Sequence, residues 1–404
     1  MAASLHGAQL SSHKNGCYLM ALFVVAFFFS TALTTVLSIL LGLIWLFTEQ
    51  YKALPKLLKS QPIAGWSVLM MLCFIIGLSY GNATESEALY SLGKYKKFLF
   101  IPVLMVFFHD ERYRRWAWLG FTFAAALTVI LSDIKAIGIV DLNPHYVSAT
   151  IKNRITHSMF VAFFAYYCMS KSVNSPRFTK LYWGLCALSL HNLFFVVEGR
   201  TGQIAGLALI ILFVCQRLSK KGLLVSLVAI AMLMVVFLNF SDKAKRFNEG
   251  IVNSKAYLEQ NLDPKLRKNS AATRYVFWEY SAKLIAEKPL LGHGTGSFVP
   301  QYKRIAAGEN LSPIHAHNEL FMIGVQLGLL GIIVYLGFIA SQYYAASQLI
   351  GENKFLAHGF LLTLVITSIF NCPIYDHAQG HWVVTLIALC FAPTRDNSSR
   401  ENYA

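Results

Sequence analysis

The sequence predicts an all-α polytopic membrane protein with about twelve transmembrane helices and one large, mainly helical loop on the outer side. Its mean hydropathy is +0.50 and only 14% of its 404 residues are charged, values that are rare in soluble domains of this size. Its seven cysteines lie in or beside apolar runs without metal-ligand spacing, which predicts no disulfide framework. Its formal net charge of +15 suits a protein that contacts anionic lipids or anionic substrates.

Twelve apolar runs are long enough, or nearly so, to cross a bilayer as helices of ~20 residues. They are predicted at residues 16–32, 33–49, 64–81, 95–109, 115–132, 156–171, 181–198, 200–216, 222–240, 317–344, 355–371 and 381–393. The first two runs are separated by almost no linker and the last run is short. Ten or eleven complete spans are therefore the alternative.

Basic residues predict which side each loop faces. With a cytoplasmic N-terminus, four consecutive inner loops are rich in Lys and Arg, as the positive-inside rule requires. The same topology puts residues 241–316 outside, and long loops of this kind are exempt from the rule. We predict transmembrane helices 1–9 in residues 1–240, the outer loop in 241–316, helices 10–12 in 317–393 and a cytoplasmic tail in 394–404.

The outer loop contains "AATRYVFWEYSAKLIAEK" at residues 271–288, which has helical spacing. An apolar stripe of Tyr275, Trp278, Ala282 and Ile285 predicts a helix that lies against the membrane surface. The glycine-rich "GHGTG" that follows is only a weak match to a phosphate-binding loop, because no strand precedes it and no Lys-Ser or Lys-Thr follows.

The segment "IHAHNEL" at residues 314–320 places His315 and His317 where the polar loop meets a long apolar run. A helix that starts near Pro313 or His317 would disfavour a protonated imidazole and aim only one of the two rings at a site. A neutral histidine there could accept a proton. The alternative is a helix cap made by Asn318 or His315, and a metal site is a weaker hypothesis because three or four ligands at tetrahedral spacing are not evident.

"EGRTGQ" at residues 198–203 predicts a second polar site at the outer face. The guanidinium of Arg200 can hold a phosphate or carboxylate with two hydrogen bonds, and its flanking glycines would clear space around it. The alternative is a tight turn with a Glu198–Arg200 ion pair. Arg274 lies on the same predicted side, as do Lys94 and Lys97, whose place outside indicates an anionic partner unless the topology is wrong.

Three stretches together resemble the O-antigen ligase and polymerase superfamily. "HNELFMIGVQLGLLG" fits its pattern of His followed by Asn, Ser or Gln, then nine residues and Gly-x-x-Gly, with His317, Asn318, Gly328 and Gly331 at those positions. "TRYVFWEYSAKLIAEKPLLGHGTGSF" is similar to the outer loop of that family, and "GRTG" is similar to its other arginine site. The motifs span residues 198–331, and the resemblance selects His317 over His315.

The resemblance implies a GT-C-like glycosyltransferase in the inner membrane of a Gram-negative bacterium, with its active site facing the periplasm. It implies transfer of O-antigen from undecaprenyl diphosphate to an outer-core sugar of lipid A-core. Chain length near 400 favours a ligase over relatives that glycosylate proteins. An O-antigen polymerase is the nearest alternative, and a lipid-linked-glycan transporter is a second one, although transporters place polar groups near the bilayer midplane.

This chemistry assigns roles to the candidate residues. His317 is the predicted general base, and Arg200 and Arg274 are predicted to stabilise the departing diphosphate. The predicted substrate-binding residues are His315, Asn318, Glu198, Lys94, Lys97 and Trp278. No Asp-x-Asp motif occurs, so we expect a metal-independent, inverting reaction without a cofactor. Membrane lipids are the other expected partners, and nucleic acid is not expected.

Overall fold

The computed structural model describes residues 2–139, 152–217, 242–258, 272–307 and 313–393, and scattered positions between 221 and 239. Within these residues the chain is almost entirely helical and contains no strand. The predicted span at 222–240 falls largely outside the described residues, and the predicted tail at 394–404 falls wholly outside them.

The described part of the chain contains sixteen α-helices whose bounds can be given. They are α1 (Ala2–Phe29), α2 (Thr31–Phe47), α3 (Leu54–Ser60), α4 (Pro62–Ile76), α5 (Glu85–Tyr95), α6 (Lys97–Phe108), α7 (Glu111–Ala136), α8 (Arg154–Asn174), α9 (Thr179–His191), α10 (Arg200–Arg217), α11 (Asp242–Leu258), α12 (Ala272–Glu287), α13 (Phe298–Ile305), α14 (Glu319–Gln348), α15 (Gly351–Phe370) and α16 (His377–Phe391). Short 3₁₀ turns occur at Gln50–Ala53 and Pro176–Phe178, and a π-helical turn at Asn192–Val196 follows α9.

Three described helices, α7, α14 and α15, are long and apolar enough to cross a membrane. A fourth span is possible if α2 and the segment Gln50–Ser60 are counted as one unit bent by 78°. Asn15–Phe29 and Pro62–Ile76 are apolar but shorter. The chain is thus a helical membrane protein, but the predicted number of twelve spans is not confirmed, because several predicted runs form shorter or more polar helices.

Contacts between loops separate the two ends of the helix bundle. His109 Nδ1 lies 2.9 Å from the Pro393 carbonyl oxygen, which joins the predicted cytoplasmic ends of the spans at 95–109 and 381–393. Lys171 donates to Glu352 at 3.1 Å, again on the predicted cytoplasmic side. The segments predicted to be outside meet at the opposite end, where Lys97 donates to the Asp376 carbonyl. The grouping of loops agrees with the predicted topology, and which end faces the periplasm stays a prediction.

Gly328 breaks the long helix α14. Its φ of 62° and ψ of −158° are not helical, so carbonyl groups in the preceding turn lose their partners within the helix. The loop at 289–294 supplies partners in both directions: His293 N donates to Val325 O at 2.8 Å, and Leu329 N donates to Pro289 O at 2.7 Å. A break in a helix at membrane depth is stable only when such groups are satisfied by other parts of the protein.

The glycine-rich loop at 292–296 therefore packs against protein backbone, not against a phosphate. Gly292, Gly294 and Gly296 all have positive φ, and added Cβ atoms would collide with α14, with Gly81 and with Ala88, respectively. Thr295 fixes the loop to α4 through its hydroxyl, which donates to Phe74 O at 2.6 Å. The sequence pattern Gly-x-x-Gly at 328–331 thus marks a helix break.

Substitution of Gly328 by alanine is expected to destabilise the fold. The new Cβ would collide with the Leu290 carbonyl and would occupy a positive φ that L-residues rarely adopt. We expect the apparent melting temperature of the purified protein in detergent to fall by at least about 5 °C. Gly42→Ala in α2 is the matched control, because an added Cβ there meets nothing within 4 Å. Equal melting temperatures for the two variants would contradict the assigned role of the break.

The outer helix α12 buries one face against the protein and leaves much of the predicted membrane-facing stripe accessible. Ala282 is exposed and Ile285 is half-buried, whereas Val276, Phe277, Ser281 and Leu284 are buried. This buried face packs on α14, and Phe277 on it lies against His317. Contact of the stripe of Tyr275, Trp278, Ala282 and Ile285 with the membrane surface stays a prediction.

Candidate functional site

The two histidines lie in the short segment before α14, outside the helix. Asn318 is the N-cap, with its side-chain oxygen accepting from Phe321 N at 3.1 Å, and the helix begins at Glu319. The alternative of a cap at Asn318 is therefore correct for that residue. The expectation that only one histidine faces the site assumed a helix that starts near Pro313 or His317, and it does not apply because the helix begins after both residues. The His315 and His317 rings are 4.2 Å apart.

The local backbone determines the proton position on His315. His317 N donates to His315 Nδ1 at 3.2 Å, so Nδ1 of His315 carries a lone pair and its proton is on Nε2. His317 has a φ of 53°, an uncommon conformation for a residue with a Cβ. Its ring stacks on Phe277 with centroids 5.9 Å apart and planes inclined by 13°. The pair is thus held by one hydrogen bond and one aromatic contact.

Both histidines are neutral near pH 7. Burial lowers the pKa of His317 to about 3, and His315 and Arg274 add to the effect. Burial lowers the pKa of His315 to about 4, where Asp376 opposes the shift and Arg274 and Lys94 support it. These influences also show that Arg274, Lys94 and Asp376 lie close to the histidine pair.

Three arginines meet beside the histidines. Burial, together with the nearby charges of Arg200 and Arg154, lowers the pKa of the Arg274 guanidinium to about 10. Arg154 is the first residue of α8, Arg200 is the first residue of α10 and Arg274 is the third described residue of α12. The end of the bundle where these helices begin therefore concentrates positive charge.

Positive charges close together at helix N-termini favour the binding of an anion. A helix N-terminus carries partial positive charge and disfavours cations, and like charges repel. An anion with several oxygens relieves both effects, because guanidinium groups and free helix amides can each donate to it. The cluster of Arg154, Arg200 and Arg274 can therefore hold a multiply charged anion, and such binding stays a prediction.

The glycines around Arg200 have a different role from the predicted one. Added Cβ atoms at Gly199 and Gly202 would collide with Ser158 of α8, so these glycines allow α8 and α10 to pack closely. Space for the arginine comes instead from Gly250 in α11, where a Cβ would collide with the Arg200 guanidinium. The prediction that Gly199 and Gly202 clear space for a ligand is wrong, since another helix fills that space.

The two predicted lysines occupy different environments. The Lys94 ammonium lies 4.9 Å from the Tyr90 ring and 6.0 Å from the Tyr375 ring, and Tyr375 is itself 6.3 Å from the His315 ring. Lys94 is therefore on the rim of the site. Lys97 is only 4% exposed and donates to the Asp376 carbonyl, so it holds the 371–376 loop. Contact between Lys97 and a substrate stays a prediction.

Trp278, Asn318 and Glu198 complete the predicted set. Trp278 lies one helical turn after Arg274 in α12, and its ring is 6.2 Å from Phe321. The Asn318 side chain is used by backbone groups, since its amide nitrogen also donates to Ile369 O at 3.1 Å. Glu198 is half-buried in the link between the π-helical turn and α10. Substrate contacts of these three residues stay predictions.

Sequence reasoning missed three residues of the site. Arg154 directly precedes a long apolar run. Arg200 was singled out because of the same kind of position, so Arg154 could have been predicted in the same way. Lys152 lies near Asp376, which opposes the lowering of the Lys152 pKa by burial. Asn371 follows α15, is 3% exposed and lies beside His317. No sequence signal distinguishes Asn371 from an ordinary helix end.

Metal ligands do not converge within the described residues. No group of three or more His, Cys, Asp or Glu side chains there could hold an ion. His315 and His317 therefore lack the additional ligands that a zinc site requires in the described part of the chain. The expectation of a metal-independent reaction stays a prediction.

The fold and the site define a helical membrane protein with two histidines and a cluster of arginines at one end of its bundle. Residues 184–336 match the family model described as O-antigen ligase. A Rickettsia conorii protein described as a "putative polysaccharide ligase" is 29% identical over 139 residues, 31% of this chain and 33% of that protein. A Rickettsia bellii protein of the same description is 28% identical over 138 residues, 31% of this chain and 33% of that protein.

A Haemophilus influenzae protein described as uncharacterized is 26% identical over 250 residues, 58% of this chain and 60% of that protein. The matches to the two Rickettsia proteins span about a third of their lengths. The match to the O-antigen ligase family model covers Arg200, Arg274, His315 and His317 together.

Proposed function

We propose that this protein is an O-antigen ligase. It transfers a glycan from undecaprenyl diphosphate to an outer-core sugar hydroxyl of lipid A-core at the periplasmic face of the inner membrane. The reaction is a metal-independent, inverting displacement in which His317 is the general base. Arg200, Arg274 and Arg154 hold the diphosphate and stabilise the charge that develops on it.

The observation that carries this proposal is the junction of three arginines with a neutral histidine. A diphosphate leaving group needs several donors, and the arginines supply them from three separate helices. The acceptor hydroxyl must lose a proton, which requires a neutral base close by. Arg274 lowers the pKa of both His317 and His315, so the anion-binding cluster and the base share one site.

The proposed step balances as follows. The acceptor oxygen attacks the anomeric carbon of the donor sugar, and its proton passes to His317. A new carbon–oxygen bond forms while the bond from the anomeric carbon to the diphosphate oxygen breaks. The electron pair leaves with undecaprenyl diphosphate, whose added negative charge is stabilised by the guanidinium groups. The proton on His317 is released to solvent before the next cycle.

The relatives described as polysaccharide ligases support a ligase over the other two functions. A polymerase of the same superfamily shares these motifs and differs in its acceptor, which would be a second lipid-linked glycan. For a transporter we would expect polar groups near the bilayer midplane. The proposed catalytic groups lie at one end of the described bundle, which favours a reaction at the membrane surface over transport through the bilayer.

The pH dependence of transfer offers a test of the proposed base. The groups that face His317 are His315 from its own segment, Arg274 from α12 and Asn371 after α15. The proposed base is the neutral imidazole of His317, and the pKa of His317 is about 3. We therefore expect kcat/KM to show no loss from histidine protonation between about pH 8 and about pH 5.

The bound donor should change this behaviour. Its negative charge offsets Arg274 and raises the pKa of His317, so the acid limb of kcat should lie at higher pH than that of kcat/KM. Transfer rates at saturating and at limiting donor, measured across this pH range, give the two limbs. An acid limb of kcat/KM near the ordinary histidine pKa of about 6.5 would contradict the proposed environment.

The function itself is tested by transfer in vitro. Purified protein in detergent is mixed with undecaprenyl-diphosphate-linked glycan and lipid A-core in the presence of EDTA, and the products are separated by size. Glycan on lipid A-core is the expected result. Glycan that only lengthens on its own lipid would identify a polymerase, and a need for added divalent metal would overturn the metal-independent mechanism. Absence of transfer with or without metal would favour the transporter.

A further inference from the structure

Asn371 is a buried polar residue that the proposed chemistry does not yet use. It caps the C-terminal end of α15 and begins the short loop at 371–376 that leads to α16. The Cys372 thiol in that loop lies within reach of the backbone amides of Ala316, His317 and Asn318. The loop is therefore packed directly against the histidine segment.

Two buried polar atoms without partners lie on the two sides of this contact. Nδ1 of His317 and Oδ1 of Asn371 are both buried, and neither has a hydrogen bond of normal geometry to any described residue. Asn371 is nevertheless near enough to raise the pKa of His317 slightly, against the stronger lowering by burial. Leaving both atoms unsatisfied is costly, and a bond from Nδ1–H to Oδ1 satisfies both after a small adjustment.

A chain of side-chain hydrogen bonds orients the Asn371 amide. Its nitrogen donates to Gln379 Oε1 at 2.9 Å, and Gln379 Nε2 donates to Thr156 Oγ1 at 2.9 Å. All three residues are at most 3% exposed. Because the nitrogen of Asn371 is turned toward Gln379, its oxygen is turned toward the imidazole.

We propose that Asn371 is a positioning residue for His317, accepting the Nδ1 proton and so fixing the neutral tautomer that has its lone pair on Nε2. This inference rests on the proposed function, in which His317 is the base. A base that carries its proton on the wrong nitrogen cannot accept another there, and such errors are costly in enzymes that use an oriented histidine.

The same geometry gives the two histidines opposite tautomers. His315 accepts at Nδ1 from a backbone amide and keeps its proton on Nε2, where it can donate to an anionic substrate. His317 donates at Nδ1 and accepts at Nε2. One ring of the pair thus acts as donor and the other as base, although both are neutral.

The first experiment reads the tautomer without substrate. The full chain, labelled with ¹⁵N-histidine and held in detergent, gives imidazole nitrogen shifts that distinguish protonated from unprotonated nitrogens, and His317→Gln identifies the signals of His317. We expect protonation at Nδ1 in the wild type and loss of that preference in Asn371→Ala. Protonation at Nε2 in the wild type, or an unchanged pattern in Asn371→Ala, would overturn the proposal. Because no transfer is measured, this result is independent of the proposed function.

The second experiment uses transfer rates. Asn371→Ala is expected to lower kcat by at least about 10-fold, whereas Asn371→Asp, whose carboxylate also accepts from Nδ1–H, should restore most of the rate. The carboxylate should also raise the pKa of His317 and shift the acid limb of kcat to higher pH. Asn174→Ala, at an exposed asparagine that bonds only to Ser170 O of its own helix, is the control and should retain wild-type activity.

A failure to fold would be recognised from the melting temperature. A well-folded Asn371→Asp with no more activity than Asn371→Ala would contradict the positioning role, because it would show that an acceptor at Nδ1 is not what matters. If wild-type protein shows the Nδ1–H tautomer but no glycan transfer, the proposed function fails and the assignment of the tautomer stands.

Discussion

His317→Ala is expected to lower the rate of glycan transfer by about 10²–10⁴-fold, the usual contribution of a positioned general base. The effect should fall mainly on kcat, since the imidazole acts on the acceptor proton and the donor diphosphate is held by the arginines. Initial rates with saturating donor and acceptor measure it. The variant should still bind donor, because the cluster of Arg154, Arg200 and Arg274 is intact.

The control for this variant is His358→Ala. His358 is half-buried at the opposite end of the bundle, and its Nδ1 lies 2.9 Å from the Lys354 carbonyl within its own helix. The His358→Ala variant should transfer glycan at the wild-type rate. A folded His317→Ala that keeps more than a tenth of wild-type activity would show that His317 is not the base.

Arg274→Met is expected to lower kcat by about 10²–10³-fold, as the loss of one donor to a developing charge does in other enzymes. Methionine keeps much of the aliphatic volume of the arginine stem and removes its charge. Weaker donor binding should accompany the loss of rate. The pKa of His317 should rise as well, because Arg274 is one of the charges that lower it.

Arg304→Met provides the comparison on the same side of the protein. Arg304 is half-exposed in α13 and pairs with Glu287, away from the arginine cluster. Loss of an outer positive charge alone should therefore leave transfer near the wild-type rate. Equal losses in the two variants would indicate that general positive charge matters, and that Arg274 does not contact the diphosphate.

The sequence allowed prediction of most of the described helices and of the main residues of the site. Long apolar runs identify helices because the membrane interior excludes unpaired backbone groups. Polar residues beside such runs are costly, which is why Arg200, His315 and His317 could be singled out before their positions were known. The structure brings these residues together with Arg274, and the family match covers all four.

Other features could not be predicted because they depend on contacts between distant segments. The break at Gly328 exists because the 289–294 loop supplies hydrogen bonds to α14, and a glycine in an apolar run fits a continuous helix equally well. The buried face of α12 is selected by Phe277 stacking on His317. The Asn371 amide is oriented by a hydrogen bond to Gln379, which itself donates to Thr156, and Gln379 and Thr156 are far apart in the chain.

The most direct test of the proposed mechanism is the anomeric configuration of the newly formed glycosidic bond. The product of a single round of transfer to lipid A-core is analysed by NMR, and its new linkage is compared with the linkage of the same sugar in the diphosphate donor. A direct displacement assisted by His317 predicts inversion. Retention of configuration, or glycan found covalently attached to the protein, would contradict direct displacement of a diphosphate held by the three arginines.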